Sequence, residues 1–191
     1  MLKEIFLPET ITTIKEHAFE GCVYLEDVHL PNGLKENIGV TLIDTYAFNN
    51  TSSLKIEQSD DYDPFAKLTK IGVAAFYKCK NGIYITKLSK TLNNINGYAF
   101  YDCPNVSIED FSSLKELGSN ALGESGKNKA INIILPTALD KFANSCFSGY
   151  AIGNINTVTY FGGGSVEDTV LARLGLSYSN PTTIEQVIEY N

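Results

Sequence analysis

The chain has 191 residues, of which 43% are hydrophobic and 19% are charged, a balance that supports a continuous buried core and excludes a disordered polyampholyte. The formal net charge of −7 comes without a stripe of lysine or arginine, so we expect no nucleic-acid partner. No apolar run approaches the roughly 20 residues that cross a bilayer, and the sequence predicts no transmembrane segment.

The first segment of the chain, Met1 to Pro8, carries one lysine and leads directly into a repeated pattern. We therefore expect this segment to belong to the repeat and not to be a signal peptide. Two alternatives stay open at this point: a cytoplasmic protein, and a mature or trimmed piece of a longer one.

An apolar anchor recurs along the chain with the same companions before it. The anchor falls six times, at Phe19, Phe48, Phe76, Phe100, Leu122 and Phe147. Alanine precedes five of the six anchors, and the positions five and eight residues before each anchor are always apolar. The steps between anchors are 29, 28, 24, 22 and 25 residues, which is typical of stacked repeat units. The sequence therefore predicts a single solenoid.

Each of the first five anchors is followed by a small side chain and then by a short strand pattern. The small residues lie three positions after the anchor, at Cys22, Thr51, Cys79, Cys103 and Ser125. A small, weakly polar residue at a fixed place predicts an inward position that bonds to turn backbone. Alternating apolar residues, such as Val28 and Leu30, then predict a half-buried strand, which Pro31 ends.

With these motifs the chain resembles the BspA-like (Treponema pallidum-type) leucine-rich repeat family. That family repeats leucine-proline, an apolar pair, isoleucine-glycine-x-x-Ala-Phe-x-x-Cys, and then leucine and a strand. The first unit matches at Leu7, Pro8, Ile11, Ile14, Ala18, Phe19, Cys22 and Leu25. Two later units match at Ile71, Gly72, Ala75, Phe76, Cys79, Ile95, Ala99, Phe100 and Cys103. The resemblance implies an α/β-type repeat solenoid with one short strand per repeat, a parallel sheet on one face, and irregular turns or short helices on the other.

The motif weakens toward the C-terminus, as expected where a repeat becomes a cap. We expect the solenoid of about six repeats to span residues 1–161 and a capping segment to span residues 162–191. Ser165 and Asp168 form a helix-start capping pair, and Pro181 to Tyr190 has apolar residues at helical spacing. The sequence therefore predicts a helical C-terminal cap.

Two repeats are lengthened, near Lys35 to Gly39 and around Gln58 to Pro64. Beside the first insertion, Leu34 and Val40 both fit the first position of the apolar ladder. The second insertion contains a bunch of aspartates: Asp60, Asp61 and Asp63. Their spacing lacks the pattern of a calcium-hand loop, so we interpret the insertion as a solvated loop and leave cation binding by these carboxylates open.

Catalytic chemistry has few candidates, because the chain has only two histidines, His17 and His29. A Cys22/His29 dyad would need a buried, repeated thiol to act as the nucleophile, and burial in apolar surroundings makes a thiol unreactive. The cysteines also lack the clustered spacing of zinc ligands. We predict no catalytic residue, no metal ligand, no cofactor, and four unpaired structural cysteines.

The outward residues of the strands form the predicted partner-binding surface. These residues alternate with the inward apolar positions and are Glu4, Phe6, Asp27, His29, Tyr84, Thr86, Asn132 and Ile134. Their mixture of aromatic and polar groups suits a protein-binding surface, and it equally fits an ordinary solvent face.

The function predicted from these residues is a non-catalytic protein-binding scaffold that uses the strand face. The resemblance implies a surface or secreted adhesion module whose partner is a host or matrix protein. The alternative is a structural spacer segment of a larger surface protein. An intracellular scaffold and an enzyme rank below these two. The partner's identity and the oligomeric state stay open.

Overall fold

The fold is described from a computed structural model. It covers residues 1–126, 131–136, 141–150, 155–161, 172–175 and 183–187. Within these ranges, twelve short strands pair in parallel and form three sheets. In chain order the strands are β1 (Glu4–Phe6), β2 (Thr13–Ile14), β3 (Asp27–His29), β4 (Leu42–Ile43), β5 (Lys55–Glu57), β6 (Lys70–Ile71), β7 (Gly82–Tyr84), β8 (Asn94–Ile95), β9 (Glu116–Leu117), β10 (Ile131–Leu135), β11 (Ile155–Phe161) and β12 (Thr183–Val187).

Each repeat forms one coil of a solenoid, and successive coils place equivalent strands side by side. β1, β3, β5 and β7 form a four-stranded sheet in that order. Ile5 pairs with Val28, and Ile56 pairs with Ile83, so the apolar residue at the centre of each strand points into the core. Alternation along a strand then sends its first and third residues outward.

After β7 the four-stranded sheet is followed by isolated bridges and then by a separate sheet near the C-terminus. Isolated parallel bridges join Ile85 to Val106, and Asp110 to Ile134. Beyond them β10, β11 and β12 form a three-stranded sheet in that order. One side of the solenoid therefore carries strands along its length, interrupted at the coil that contains Val106.

A second row of strands lies at the apolar ladder, five and six residues before each anchor. β2, β4, β6, β8 and β9 form this five-stranded sheet. The second residue of each strand is no more than 3% exposed, at Ile14, Ile43, Ile71, Ile95 and Leu117. The predicted repeat solenoid with a parallel sheet is confirmed. The structure adds a second strand per coil, which is only two residues long and therefore too short to show alternation in the sequence.

The anchors stack along the core. The ring centroids of Phe19 and Phe48 are 5.1 Å apart, and the next two steps, to Phe76 and then Phe100, are each 5.3 Å. The rings are parallel within 10°. Offset stacking of this kind adds to the free energy gained by burying the rings. Leu122 ends the run of stacked rings in the next coil.

The turn around each anchor has a left-handed backbone at two places, two residues before and two residues after the anchor. These residues are His17, Gly21, Tyr46, Asn50, Ala74, Lys78, Tyr98, Asp102, Asn120, Glu124, Ser145 and Gly149, with φ between 50° and 73°. The turns form a hydrogen-bonded ladder between coils. In the second turn the N–H groups of Tyr46, Phe48 and Asn50 donate to carbonyl oxygens of the third coil at 2.9, 2.7 and 2.8 Å.

The small residues after the anchors lie inward, as predicted. The Thr51 hydroxyl donates to the Phe19 oxygen at 2.8 Å, and the Cys79 thiol donates to the Phe48 oxygen at 3.2 Å. Ser125 donates to the Leu122 oxygen within its own coil at 2.6 Å. Each of these side chains thus bonds to the main chain of an anchor residue.

The second insertion packs against residues 30–33, directly before the first insertion. Tyr62, in the second insertion, donates its hydroxyl to the Leu30 oxygen at 3.0 Å. The N–H of Gly33 donates to the Asp63 oxygen at 2.9 Å, and a side chain at Gly33 would collide with that oxygen. Val40 is fully buried, whereas Leu34 is 50% exposed, so Val40 occupies the ladder position.

The predicted helical cap is corrected by the structure where its residues are described. Residues 183–187 form β12, which pairs in parallel with β11, so the prediction of a turn or helix in Pro181 to Tyr190 is wrong there. Thr183, Ile184 and Val187 are β-branched residues that favour a strand. Only 172–174 are helical among the described residues, and Ser165 and Asp168 lie outside them.

Candidate protein-binding surface

The outward side chains of β1, β3, β5 and β7 form one continuous surface, which we call the strand face. Its first row contains the first residue of each strand: Glu4, Asp27, Lys55 and Gly82. Its second row contains the third residue of each strand: Phe6, His29, Glu57 and Tyr84. All of these except Gly82 are exposed, so the strand face combines three aromatic rings with charges of both signs.

An aromatic pair occupies the N-terminal part of the strand face. Phe6 and His29 are aligned in the β1–β3 register, and their rings stack with centroids 4.0 Å apart and planes 2° apart. His29 Nε2 also lies 2.8 Å from Glu4 Oε1, which fixes the orientation of the imidazole. Phe6 nevertheless stays 69% exposed, an unusual state for a side chain of this size.

A charged pair and a tyrosine follow on the next two strands. Lys55 Nζ lies 2.9 Å from Glu57 Oε1, and the hydrogen bond to this carboxylate raises the pKa of the Lys55 ammonium. The Tyr84 ring lies close to Gly82, since a Cβ placed on Gly82 would come within 2.9 Å of Tyr84 Cε2. The absence of a side chain at Gly82 therefore lets the Tyr84 ring lie along the sheet.

A shallow groove runs across the centre of the strand face. Its volume is about 240 Å³, and its lining includes Asp27, His29, Lys55, Glu57 and Tyr62. The groove is open, and polar and apolar atoms contribute about equally to its lining. Such a shape suits the side chains of a protein partner better than a small molecule, which proteins usually enclose in a deeper, apolar cavity.

The eight predicted surface residues lie in three places. Five of them, Glu4, Phe6, Asp27, His29 and Tyr84, lie together on the strand face. Asn132 and Ile134 lie instead on β10 in the three-stranded sheet, where Asn132 is exposed and Ile134 is half-buried. Thr86 is exposed just beyond β7, and its N–H donates to Gln58 Oε1 at 3.0 Å.

The eight predicted surface residues omit Lys55 and Glu57, the two outward residues of β5. Lys55 lies directly before the inward Ile56, as Asp27 lies before Val28. The position one residue before the inward residue, which gave Glu4 and Asp27, gives Lys55 when it is counted from Ile56. The interruption at the coil of Val106 has no comparable sequence pattern, because Ser107 alternates like an outward residue and is 7% exposed.

The cysteines are placed for packing. All four are free, and burial raises the pKa of the Cys79 and Cys146 thiols to about 12 and that of Cys103 well above its ordinary value. Cys22 packs against the core, whereas the His29 ring lies on the strand face against Phe6. Cys22 and His29, the dyad considered from the sequence, therefore lie on different surfaces. Cys22 is in the turn before β3 and packs against the core, whereas His29 is on β3 and is exposed.

Asp60 and Asp63 of the second insertion interact with different partners. Asp63 Oδ1 accepts hydrogen bonds from Gln58 Nε2 at 3.0 Å and from the Phe65 N–H at 2.8 Å. Asp60 lies 3.5 Å from Lys87 Nζ and is otherwise exposed to solvent. In the part of the chain that the structure describes, no group of three or more acidic, histidine or cysteine residues is arranged to hold a metal ion.

A comparison with known families agrees with the observed coils. The sequence matches the family described as BspA type leucine rich repeat region, with six copies, over residues 1–67 and 41–170. The chain belongs to the BspA-type leucine-rich repeat family. No curated protein and no solved structure matches the chain. BspA-type repeats, like other leucine-rich solenoids, indicate a protein-interaction scaffold, because they present an extended surface of aligned strands.

Within the described ranges, no helix combines the length and the hydropathy of a membrane span.

Proposed function

We propose that this BspA-type solenoid binds another protein through its strand face. The proposal rests on one observation above all, the exposed aromatic pair Phe6 and His29 beside the exposed Tyr84 on a single rigid sheet. Exposed aromatic side chains on a fixed backbone contribute large contact area to a protein interface and lose little conformational entropy on binding.

The charges of the strand face support recognition of a polar partner surface. Glu4, Asp27 and Glu57 surround the aromatic groups, and Lys55 is the one cation among the first and third residues of β1, β3, β5 and β7. This predominantly acidic surface favours a partner with exposed lysine or arginine. Rim charges of this kind mainly raise the association rate and select the partner.

In finer terms, we propose an adhesion or interaction module at the cell surface or in secreted form, with a host or matrix protein as partner. The support for this location and partner class is the family itself, in which surface proteins with such roles are common. A structural spacer within a larger surface protein is the alternative, and it requires no binding by the strand face.

The experiment compares two double variants of the purified chain in binding to immobilised matrix proteins and to cell-surface extracts. The strand-face variant carries Phe6→Ser and Tyr84→Ser, which remove aromatic side chains that are 69% and 40% exposed. The control variant carries Leu34→Ser and Tyr98→Ser, which remove apolar groups that are 50% and 42% exposed outside the strand face.

We expect the strand-face variant to lose binding at least tenfold and the control variant to bind as the wild type does, with both retaining the circular dichroism of the wild type. Equal binding by the two variants would show that the strand face is not the binding site. Absence of binding to every protein tested, by the wild type as well, would favour the spacer.

A further inference from the structure

Three asparagines of this chain are followed directly by glycine: Asn32, Asn81 and Asn96. In such a pair the main-chain nitrogen of the glycine can attack Cγ of the asparagine, because glycine has no Cβ to hinder the approach. The new N–Cγ bond closes a cyclic imide, the nitrogen gives its proton to water, and the side-chain amide leaves as ammonia. Water then opens the ring at either carbonyl, and the product is aspartate or isoaspartate. Asparagine is accordingly one of the thermolabile residues of proteins.

Ring closure requires the asparagine side chain and the following peptide to rotate toward each other. The rate in a folded protein therefore depends on how firmly the structure holds these two groups. The three pairs have the same chemistry, so differences between them report the local structure.

Asn32 is held by its side chain. Its Nδ2 donates to the Asp61 oxygen at 2.7 Å, and its Oδ1 accepts from the N–H groups of Leu34 and Asp63, both at 3.1 Å. The attacking nitrogen is also engaged, since the Gly33 N–H donates to the Asp63 oxygen at 2.9 Å. Cyclisation at Asn32 would have to break all four hydrogen bonds.

Asn96 is held by the coils on both sides of it. The peptide between Asn96 and Gly97 lies directly against Gly118 of the next coil, where an added Cβ would come within 2.2 Å of the Gly97 nitrogen. Toward the preceding coil, the Asn96 N–H donates to the Ile71 oxygen at 3.0 Å, and the Gly97 oxygen accepts from the Ala74 N–H at 2.9 Å. The peptide that must rotate is thus confined between two neighbours.

Asn81 is held least firmly of the three. Its side chain is exposed and forms no hydrogen bond with any residue that the structure describes. Its main chain has two long hydrogen bonds, from its N–H to the Ser52 oxygen at 3.2 Å and from Asn105 Nδ2 to its oxygen at 3.3 Å. Gly82 is the first residue of β7, and the ends of strands open more readily than their centres.

We propose that Asn81 is a site of spontaneous deamidation in the folded protein, and that the fold protects Asn32 and Asn96. Asn81 lines an open groove together with Glu26, Asp27 and Lys55. Conversion to aspartate adds a carboxylate to this groove. Isoaspartate in addition lengthens the main chain directly before β7, the strand that carries Tyr84. The charge and geometry of the strand face would thus change with the age of the molecule.

Peptide mapping of the aged wild type tests the proposal, because the three pairs fall in separate tryptic peptides, 16–35, 81–87 and 91–115. The purified chain is incubated at mildly alkaline pH and digested after increasing times. Fragment spectra locate the converted residue and separate isoaspartate from aspartate. We expect Asn81 to convert at least tenfold faster than Asn32 and Asn96. Equal rates at the three residues in the folded protein would overturn the proposal.

The same chain in urea gives the rate without structural protection. We expect the three pairs to convert at comparable rates there, and folding to slow Asn32 and Asn96 at least tenfold but Asn81 much less. A rate at Asn81 that folding reduces as strongly as the rate at Asn32 would contradict the proposal.

The variant Asn81→Gln keeps the amide, but its longer side chain would have to close a larger ring and does so far more slowly. The control is Asn37→Gln, an exposed asparagine that isoleucine follows. In ion-exchange chromatography we expect the acidic form that accumulates in the wild type to be absent from Asn81→Gln and to be retained in Asn37→Gln. Accumulation at the wild-type rate in Asn81→Gln would assign the acidic form to another residue. These measurements require no partner, so their outcome is independent of the binding experiment on Phe6 and Tyr84.

Discussion

The Cys103 thiol donates a hydrogen bond to the main-chain oxygen of Phe76, one coil earlier, at 2.9 Å. The equivalent position holds Thr51 in the second coil and Ser125 in the fifth. The Thr51 hydroxyl likewise donates to the anchor of the preceding coil, and the Ser125 hydroxyl donates to the anchor of its own coil. This position therefore selects a small donor and not the chemistry of sulfur.

Substitutions of Cys103 separate these two properties. We expect Cys103→Ser to change the free energy of unfolding by less than about 1 kcal/mol, because the donor is kept. We expect Cys103→Ala to cost about 1 to 2 kcal/mol, because both a hydrogen bond and packed volume are lost. Urea unfolding measures both values, and a larger loss for serine than for alanine would show that the donor is unimportant.

The four thiols are expected to differ in reactivity. Cys79, Cys103 and Cys146 are at most 1% exposed, whereas Cys22 is half-buried. Brief alkylation of the native protein, followed by mass spectrometry, should modify Cys22 well before the others. In urea all four should react at similar rates. Native labelling of Cys103 as fast as Cys22 would be inconsistent with the packing described above.

Stability should fall as the pH rises above the ordinary thiol pKa. Burial raises the pKa of Cys79 and Cys146 to about 12 in the folded protein, against about 8.5 for a free thiol. Between these values the unfolded chain has lost protons that the folded chain keeps, so the free energy of unfolding decreases with pH. The slope is about 1.4 kcal/mol per pH unit for each buried thiol.

Urea midpoints measured on both sides of the free-thiol pKa test this dependence. Cys79→Ser is the control, because it removes one of the buried titrating groups and should make the slope shallower. Parallel slopes for the wild type and Cys79→Ser would assign the pH dependence to other groups.

Two neighbouring alanines should respond in opposite directions to glycine. Ala74 has φ of 50°, a conformation that costs an L-residue about 1 to 2 kcal/mol, and its side chain offers no compensating hydrogen bond. Ala74→Gly should therefore raise the free energy of unfolding by up to about 1 kcal/mol. Ala75 is fully buried and has no such strain, so Ala75→Gly should lower it by about 1 kcal/mol. Thermal and urea unfolding of the two variants measure the signs directly.

Much of this architecture could be predicted from the sequence because inward residues recur at fixed distances from each anchor. The positions of Ile14, Ile43 and Ile71 were evident from their spacing, and all are buried. The sequence did not show whether Leu34 or Val40 occupies one of the ladder positions. Both residues are apolar, and only the path of the intervening loop decides which one is buried. The segment at β12 was misjudged for a related reason: Ile184 and Val187 fit helical spacing, and pairing with β11 determines the strand.

The candidate site was less predictable than the fold. Outward positions follow from alternation, which correctly grouped Phe6 with His29 across two coils. The stacking of these rings, and the separation of Asn132 from the strand face, depend on how the sheets end, which no local pattern encodes. Burial patterns therefore locate the core more reliably than they define the extent of a surface.

The unequal coil lengths have a consequence for engineering. From the first residue of the ladder strand to the anchor there are always six positions, as from Thr13 to Phe19 and from Asn94 to Phe100. The number of positions from the last residue of a strand-face strand to the first residue of the following ladder strand varies. It is 7 from Phe6 to Thr13 and 13 from Glu57 to Lys70. This corner of the coil absorbs additional residues without altering the register of either sheet, and a foreign peptide grafted there should be displayed by a frame that keeps its own geometry.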